Sequence, residues 1–204
     1  MPRAMTVVRR LLRSQQAGLL LIIATLMVAL ALAAGSHVDE STGATVNNFF
    51  NSYTLIQTAT DASFIAIMAV GATLVIISGG IDLSVGSVYA LAGVVMGLVL
   101  REVAPAGGTG AVWLGLLICV GLGLVAGALN GAMVVGLGVH PFIITLGSMW
   151  ILRGVAFVTS KAESILLPES LIHFAKSPLG LGAALHPIPM LGMLAVAALG
   201  ALYL

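Results

Sequence analysis

Charge is the property that this sequence has least of. Only 7% of its 204 residues are Asp, Glu, Lys or Arg, and the formal net charge is +1. A water-soluble domain carries about 25% charged residues, so this chain cannot cover a compact surface with solvated groups. Hydrophobic residues make up 60% of the chain, which also excludes a disordered protein. The composition indicates an integral membrane protein.

Residues that carry chemistry are also scarce. The single Cys119 excludes a disulfide scaffold, and the four histidines are scattered without metal-ligand spacing, so we predict no metal and no cofactor. The two lysines, Lys161 and Lys176, do not belong to a phosphate-binding loop, which excludes ATP hydrolysis by that route. No nucleophile–base or paired-carboxylate arrangement occurs, so we predict no catalytic residues and no enzyme. The absence of a basic patch argues against nucleic-acid binding.

What the sequence has in abundance is long apolar runs. Positions 103–152 contain no Asp, Glu, Lys or Arg, and a span needs about 20 apolar residues, so this stretch holds two. The pattern predicts an all-α polytopic membrane protein, a single membrane domain over residues 1–204 with about six transmembrane helices. The predicted segments are Ala17–Ala34, Ala62–Ile81, Leu83–Leu100, Ala111–Val139, Phe142–Thr159 and Met190–Leu204.

The N-terminal arginines set the predicted orientation. Arg3, Arg9, Arg10 and Arg13 precede the first run, which favours a cytoplasmic tail over residues 1–16. Ala31-Leu32-Ala33 resembles a signal-peptide cleavage site, but the apolar core is longer than the usual range of about 7–15 residues. Counting six crossings places the polar segments 35–60 and 160–189 outside. A single broken span over 62–100 would change that parity.

Within the first external segment, apolar residues recur at helical spacing. They are Val46, Phe49, Phe50, Tyr53 and Ile56. This spacing predicts a short helix lying in the membrane interface. The alternative is that these residues begin the next span.

The first informative cluster is the segment 78–87, which joins two apolar runs. Gly79 and Gly80 interrupt the helix, and Asp82 or Ser84 can cap the next helix by accepting hydrogen bonds from its free amides. At membrane depth, a broken helix occurs only where it lines a cavity or is buried in protein. The alternative is a tight surface turn with Asp82 in water.

The second cluster lies in the fourth predicted span. Gly123, Gly127 and Gly131 are spaced four apart and form a smooth ridge suited to close helix packing. Asn130 lies beside the ridge. An asparagine in an apolar span more often forms an interhelix hydrogen bond than a substrate contact, but both functions stay open.

The third cluster begins at His140-Pro141, which breaks the apolar run because proline lacks a backbone donor. It includes Thr145 and is followed by Arg153. Arg153 lies about 16 Å along a helix that starts near Phe142, so it either faces a polar path or snorkels to the interface. We expect Asp82 to lie against protein rather than lipid, with Arg153 a candidate partner.

Together these clusters resemble a known family, the membrane permease subunits of sugar ABC importers of the ribose, galactose and xylose type, within the branched-chain amino acid/sugar permease superfamily. Gly79–Gly86 is the most specific stretch, and the resemblance extends over about residues 45–190. The matching stretches are Asn47–Phe49, Ala69–Ser87, Leu129–Gly131, Val139–Gly147, Arg153-Gly154 and Pro187–Pro189.

The resemblance implies a multi-pass permease of the bacterial inner membrane that imports a monosaccharide. Its implied partners are a second permease subunit, ATP-binding subunits and an extracytoplasmic sugar-binding protein, besides membrane lipid. From the three clusters, the candidate residues of the translocation path or structural core are Gly79, Gly80, Asp82, Ser84, Asn130, Thr145 and Arg153. Members of the family are longer, so the sequence is expected to be the N-terminal part of a longer permease. A secondary transporter or a channel-like protein for a small polar solute is the alternative.

The topology gives the first testable prediction. A cysteine placed at Lys176, in a chain whose Cys119 is replaced by alanine, should react with an impermeant maleimide added from outside intact cells. The reason is that the arginine-rich N-terminus is predicted to stay in the cytoplasm, and six crossings then put residue 176 on the outer side. Permeabilised cells provide the total labelling. Labelling that requires permeabilisation would place the 160–189 segment in the cytoplasm and contradict the six-span topology.

Overall fold

The computed structural model describes residues 15–39, 43–176 and 187–203. Most of these residues are helical and the only strands described are two short ones, which confirms the predicted all-α class. The helices are α1 (Gln15–Ala33), α2 (Ser52–Ile77), α3 (Val85–Val103), α4 (Thr109–Leu137), α5 (Pro141–Ser160), α6 (Glu169–Ala175) and α7 (Pro187–Tyr203), and the strands are β1 (Ser36–Val38) and β2 (Thr45–Asn47). The chain divides into two compact units, one ending at Thr58 and one starting at Ala59.

The first unit contains α1, a small hairpin and the start of α2. Strands β1 and β2 pair antiparallel, with His37 opposite Val46. The helix predicted over Val46–Ile56 is absent, because Val46 lies in β2 and Phe49 and Phe50 lie in a bend. Tyr53 and Ile56 belong to α2 itself, which agrees with the alternative that these residues begin the next span.

Three asparagines hold this hairpin to the helix ends beside it. The side-chain amide of Asn47 donates to the Ala31 carbonyl at 2.7 Å, and that of Asn48 donates to the Ala34 carbonyl at 2.8 Å. These bonds satisfy carbonyls that the end of α1 leaves unpaired. The Asn51 side-chain oxygen accepts from the Thr54 amide at 2.8 Å and caps the start of α2.

The second unit is built around α3, which packs against both α4 and α5. Glycines allow the close approaches. A Cβ added at Gly115 of α4 would lie 3.1 Å from the Met96 sulfur of α3, and one added at Gly97 would lie 2.8 Å from Ile165. Helix α7 lies beside α2, where a Cβ at Gly200 would come within 2.9 Å of Val70.

The break between α2 and α3 falls where the sequence predicts it. Helix α2 ends at Ile77, and Gly79 has φ +83°, a left-handed conformation that favours glycine. The Gly80 amide donates to the Val75 carbonyl at 2.9 Å, and the Gly79 amide donates to the Ile76 carbonyl at 3.0 Å. This is the Schellman arrangement, which satisfies the last carbonyls of a helix.

The second predicted break, at His140-Pro141, is also present. Helix α4 ends before Gly138, whose φ is +64°, and Pro141 is the first residue of α5. The His140 side chain accepts from the Phe142 amide at 3.3 Å. Proline is favoured at this position because the amide it lacks would have no helical partner.

Four of the described helices, α2, α3, α4 and α5, are long and apolar enough to cross a membrane. Shorter apolar helices, Ala17–Ala33 and Ile188–Tyr203, coincide with the first and last predicted segments. Large apolar side chains point outward along these helices, including Leu20 in α1 and Leu124 and Val135 in α4. Exposed apolar surface on this scale is typical of a polytopic membrane protein. The count of six crossings stays a prediction.

The conformation of Gly79 generates a stability prediction. Replacing Gly79 by alanine should lower the free energy of unfolding by about 1–2 kcal/mol, because a side chain disfavours the left-handed conformation. Gly71, inside α2 with open space around it, is the matched control, since alanine there should be neutral or stabilising by up to about 1 kcal/mol. Unfolding in detergent provides the measurement. Equal stability of the two variants would show that the turn relaxes at no cost.

Candidate functional site

Polar side chains converge at the start of α3, where the chain leaves the α2–α3 break. One carboxylate oxygen of Asp82 accepts from the Ser84 amide at 2.7 Å and from the Ser84 hydroxyl at 2.6 Å. Ser84 is fully buried and Asp82 is half-buried. Ser84 occupies the cap position of α3, but its side chain forms no capping bond. Its hydroxyl is instead committed to Asp82.

Asn130 connects this turn to two other helices. Its side-chain nitrogen donates to the Ser84 hydroxyl oxygen at 2.9 Å, and its side-chain oxygen accepts from the Ser148 hydroxyl at 2.5 Å. The four side chains form one hydrogen-bonded series from Ser148 of α5 through Asn130 of α4 and Ser84 to Asp82. We call this series the polar chain.

The carboxylate of Asp82, at one end of the polar chain, sets which group donates and which accepts in each hydrogen bond. An ionised carboxylate only accepts hydrogen bonds, so the single proton of the Ser84 hydroxyl points to Asp82. Ser84 must then accept from the amide nitrogen of Asn130, which leaves the Asn130 oxygen to accept from Ser148. Every member is therefore specified as donor or acceptor by its neighbour.

The backbone before Ser84 is held in the same way. The Thr145 hydroxyl lies 3.1 Å from the Ile81 carbonyl, to which it donates. A Cβ added at Gly80 would lie 3.2 Å from the Val75 side chain and 3.8 Å from Pro141. Gly80 therefore has little room for a side chain, whereas Gly79 serves the turn by its conformation.

These contacts place the start of α3 inward from the α4–α5 turn. Gly80 lies near Pro141, Ile81 bonds to Thr145, and Ser84 is linked through Asn130 to Ser148. The non-helical segment 80–84 thus runs beside the first two turns of α5. Ser148 lies seven residues after Pro141, which is about 10 Å along the axis of α5. The start of α3 therefore lies about 10 Å from the level of the α4–α5 turn. This geometry favours a recessed helix break over a surface turn.

The structure brings together six of the seven residues predicted for this site. They are Gly79, Gly80, Asp82, Ser84, Asn130 and Thr145. Ser148 was missed, although it lies one helical turn after Thr145 and so shares its helix face. Ser87, one turn after Ser84, is also fully buried, and its hydroxyl has no hydrogen-bond partner in the structure as described.

Arg153 stands apart from the polar chain. It is exposed on α5, and within the described residues the ion pair joins Arg101 and Glu102 rather than Arg153 and Asp82. The hypothesis of an Asp82–Arg153 pair is therefore wrong for this structure. Asp82 contacts Ser84 in place of a cation, which agrees with its expected position against protein.

The glycine ridge packs against nothing in the described part of the chain. A Cβ added at Gly123, Gly127 or Gly131 would meet no atom within 4 Å. The predicted role of these glycines in helix packing is thus not fulfilled inside the described chain: Gly123 lines a groove beside α3, and Gly127 and Gly131 are exposed.

The contacts of the polar chain and of Thr145 hold the segment between α2 and α3 in place. Across residues 15–39, 43–176 and 187–203, no group of three or more His, Cys, Asp or Glu is placed to hold a metal. The non-helical backbone at 80–84 is held by buried hydroxyl and amide groups. Irregular backbone of this kind in a membrane protein is buried in protein or lines a cavity.

Comparison with known proteins agrees with these features. Residues 54–204 match the profile of the family described as the branched-chain amino acid transport system / permease component. The chain is 40% identical over 119 residues to the inner membrane ABC transporter permease protein YjfF of Escherichia coli (strain K12), covering 57% of this chain and 34% of that protein. It is 36% identical over 152 residues to the D-allose transport system permease protein AlsC of the same strain, covering 73% of this chain and 43% of that protein.

A third relative is the fructose import permease protein FruF of Bifidobacterium longum (strain NCC 2705). It is 42% identical over 110 residues, which cover 54% of this chain and 29% of that protein. The chain thus spans between 29% and 43% of the length of these three relatives. No solved structure matches the chain significantly.

The fold defines an all-α polytopic membrane protein in which a non-helical segment separates α2 from α3. The chain belongs to the branched-chain amino acid transport system / permease component family. Its apolar helices and its similarity to a named inner membrane permease place it in the bacterial inner membrane as a multi-pass protein.

The polar chain generates a prediction about stability. Replacing Asn130 by leucine should cost about 1–3 kcal/mol, because the Ser84 and Ser148 hydroxyls lose their partner in a buried setting. Replacing Ser148 by alanine should cost about 0.6–1.7 kcal/mol, the range of interhelix hydrogen bonds in membranes. Detergent unfolding of both single variants and the double variant gives the coupling energy.

The control for lost hydroxyls is Thr73→Val. The Thr73 hydroxyl donates at 2.8 Å only within its own helix, to the Ala69 carbonyl, so the stability should change little. If the two single effects add without coupling, Asn130 and Ser148 do not act as one series, and the polar chain has no shared energetic role.

Proposed function

We propose that the chain contributes to a permease subunit of an ATP-binding-cassette importer for a monosaccharide. The observation that carries this proposal is the recessed start of α3, held by the polar chain, in a member of a permease family. A helix break at membrane depth places non-helical backbone beside polar side chains, and such backbone in a membrane protein is buried in protein or lines a cavity.

The site residues have separate roles in this proposal. Gly79 and Gly80 allow the chain to turn and approach α5, while Asp82, Ser84, Asn130 and Thr145 hold the turned segment. Arg153 is free of the polar chain and is available to the solute path or to a second permease subunit. The depth of these residues in the bilayer is part of the proposal.

The substrate class is supported by the relatives rather than by the site. Two of them are named for D-allose transport and fructose import, and both compounds are monosaccharides. The hydroxyl and amide groups of the polar chain are paired with one another, so they do not themselves select a solute. The site does not distinguish one sugar from another.

The partners follow from the energetics of the proposed import. The sequence contains no phosphate-binding loop, so ATP-binding subunits must supply the hydrolysis and this subunit is not itself an enzyme. A second permease subunit would complete the path, with the exposed Gly127 and Gly131 of the ridge suited to close helix packing. An extracytoplasmic binding protein would deliver the sugar. The proposed topology keeps residues 1–16 cytoplasmic and 35–60 and 160–189 outside.

Reconstitution tests the proposal. The chain is extended with the C-terminal region of the D-allose permease and placed in proteoliposomes with the ATP-binding subunit and binding protein encoded at its own locus. Sugar-stimulated ATP hydrolysis and ATP-dependent uptake of labelled sugar should appear, whereas the 204-residue chain alone should show neither. The matched control omits the binding protein.

Other outcomes identify other functions. Uptake driven by an ion gradient without ATP would indicate a secondary transporter, and sugar flux without either energy source would indicate a channel. Equal sugar-stimulated hydrolysis by the extended and the unextended chain would show that residues 1–204 already contain the surface that couples to the ATPase.

A further inference from the structure

A groove along α3 is lined mainly by apolar side chains, and none of its lining residues belongs to the polar chain. We propose that this groove binds one phospholipid of the bilayer, with an acyl chain in the groove and a zwitterionic, amine-bearing headgroup at its outer end. The chemical class is phosphatidylethanolamine. This proposal concerns lipid binding and is independent of the sugar-import function.

One face of α3 forms the floor of the groove. Val85, Val88, Ala92 and Met96 line it at spacings of three and four residues, and Tyr89, Ala90, Gly93 and Val94 of the same helix also line the groove. Helix α2 and helix α4 form the walls, with Ile67 and Cys119 among the lining residues. The cavity volume is about 800 Å³. All these helices are span-length, so the opening faces lipid unless another protein segment covers it.

The length of the groove fits one leaflet. Val85 and Met96 are separated by eleven residues, which is about 16 Å along a helix axis. Half of the hydrocarbon core of a bilayer is about 15 Å thick. A single extended acyl chain therefore matches the floor from the recessed start of α3 to the level at which headgroups begin.

Basic side chains gather at the outer end of the groove. A smaller cavity of about 100 Å³ shares Ser160, Glu163 and Ile165 with the groove and is also lined by Arg101 and Lys161. Arg101 lies in the last turn of α3, and Lys161 follows the last residue of α5. Two cations at helix ends are placed where a lipid phosphate lies.

The acidic groups at this end decide the class of headgroup. Glu163 lines both cavities, and Glu102 accepts from the Arg101 Nε at 3.4 Å. Glu163 would repel a purely anionic headgroup but would attract an ammonium group beside the phosphate. A compact headgroup with one phosphate and one primary amine satisfies Arg101, Lys161 and Glu163 together.

A helix from another subunit is the competing occupant. An apolar helix would fill the groove but would make no use of the exposed charges of Lys161 and Glu163 at its end. A phospholipid satisfies both the apolar floor and the charged end, so the charge pattern favours lipid. The competing occupant is tested as an outcome below.

Lipid binding can be measured on the whole 204-residue chain by native mass spectrometry after delipidation. Phosphatidylethanolamine, phosphatidylcholine and phosphatidylglycerol with identical acyl chains are titrated separately. We expect one molecule of phosphatidylethanolamine to bind several-fold more tightly than either of the others. Replacing Glu163 by glutamine should reduce the preference over phosphatidylglycerol, because the repulsion of an anionic headgroup is removed.

Two matched pairs of variants locate the lipid. Gly93→Leu should abolish the tight site by filling the groove, since a Cβ at Gly93 meets nothing within 4 Å. Gly121→Leu, on α4 with equally open space, should leave binding unchanged. Lys161→Gln should weaken binding about fivefold, as expected for one basic residue near a lipid surface, whereas Lys176→Gln should not.

The only cysteine of the chain gives a second readout if Gly93→Leu fails to fold. Cys119 lines the groove, so phosphatidylethanolamine should slow its alkylation by a maleimide in the unaltered chain more than phosphatidylcholine does. Equal protection by all three lipids, or a tight site that survives in correctly folded Gly93→Leu, would overturn the proposal. Protection that depends on protein concentration and not on lipid would assign the groove to a second copy of the chain.

Discussion

The break between α2 and α3 depends on one constraint, namely that backbone and side-chain polar groups away from water must be paired within the protein. Gly79 and Gly80 end α2 in a Schellman turn, and the Ile81 carbonyl is paired by Thr145. Ser84 then links Asp82 to Asn130. Without these pairs the recessed segment would expose its groups to an apolar surrounding. The position of α3, and hence the groove on its face, follows from them.

Asparagine is the residue that joins separate elements in both units. Asn47 and Asn48 pair carbonyls at the end of α1, and Asn51 caps α2. Asn130 does the corresponding task between α4, α5 and the break. Its amide donates and accepts at the same time, so it can connect an acceptor on one side with a donor on the other. Leucine or valine could fill the space but could not make these connections.

The polar chain and the proposed lipid groove both begin at the first residues of α3 but involve different side chains. The polar chain turns inward to α4 and α5, whereas the groove follows the apolar face of α3 toward Arg101. Close packing at Gly97 and Gly115 holds α3 against its neighbours along this length. A shift of α3 would therefore alter the polar chain and the groove together, which connects the proposed solute path with the surrounding lipid.

The sequence by itself determined the class of protein, the apolar centres of the long helices and both breaks. Apolar runs long enough for a bilayer, the pair Gly79-Gly80 and the dipeptide His140-Pro141 act locally, so their effects can be read without knowing distant contacts. Only the tertiary structure decided which polar groups meet. The hydrogen bond from Ser148 to Asn130 and the separation of Arg153 from Asp82 depend on how α3, α4 and α5 pack, and spacing along the chain does not encode that packing. The same reason explains why the hairpin at Val46 was predicted as a helix: its apolar spacing is helical, but the amides of Asn47 and Asn48 pair with carbonyls of a distant helix end.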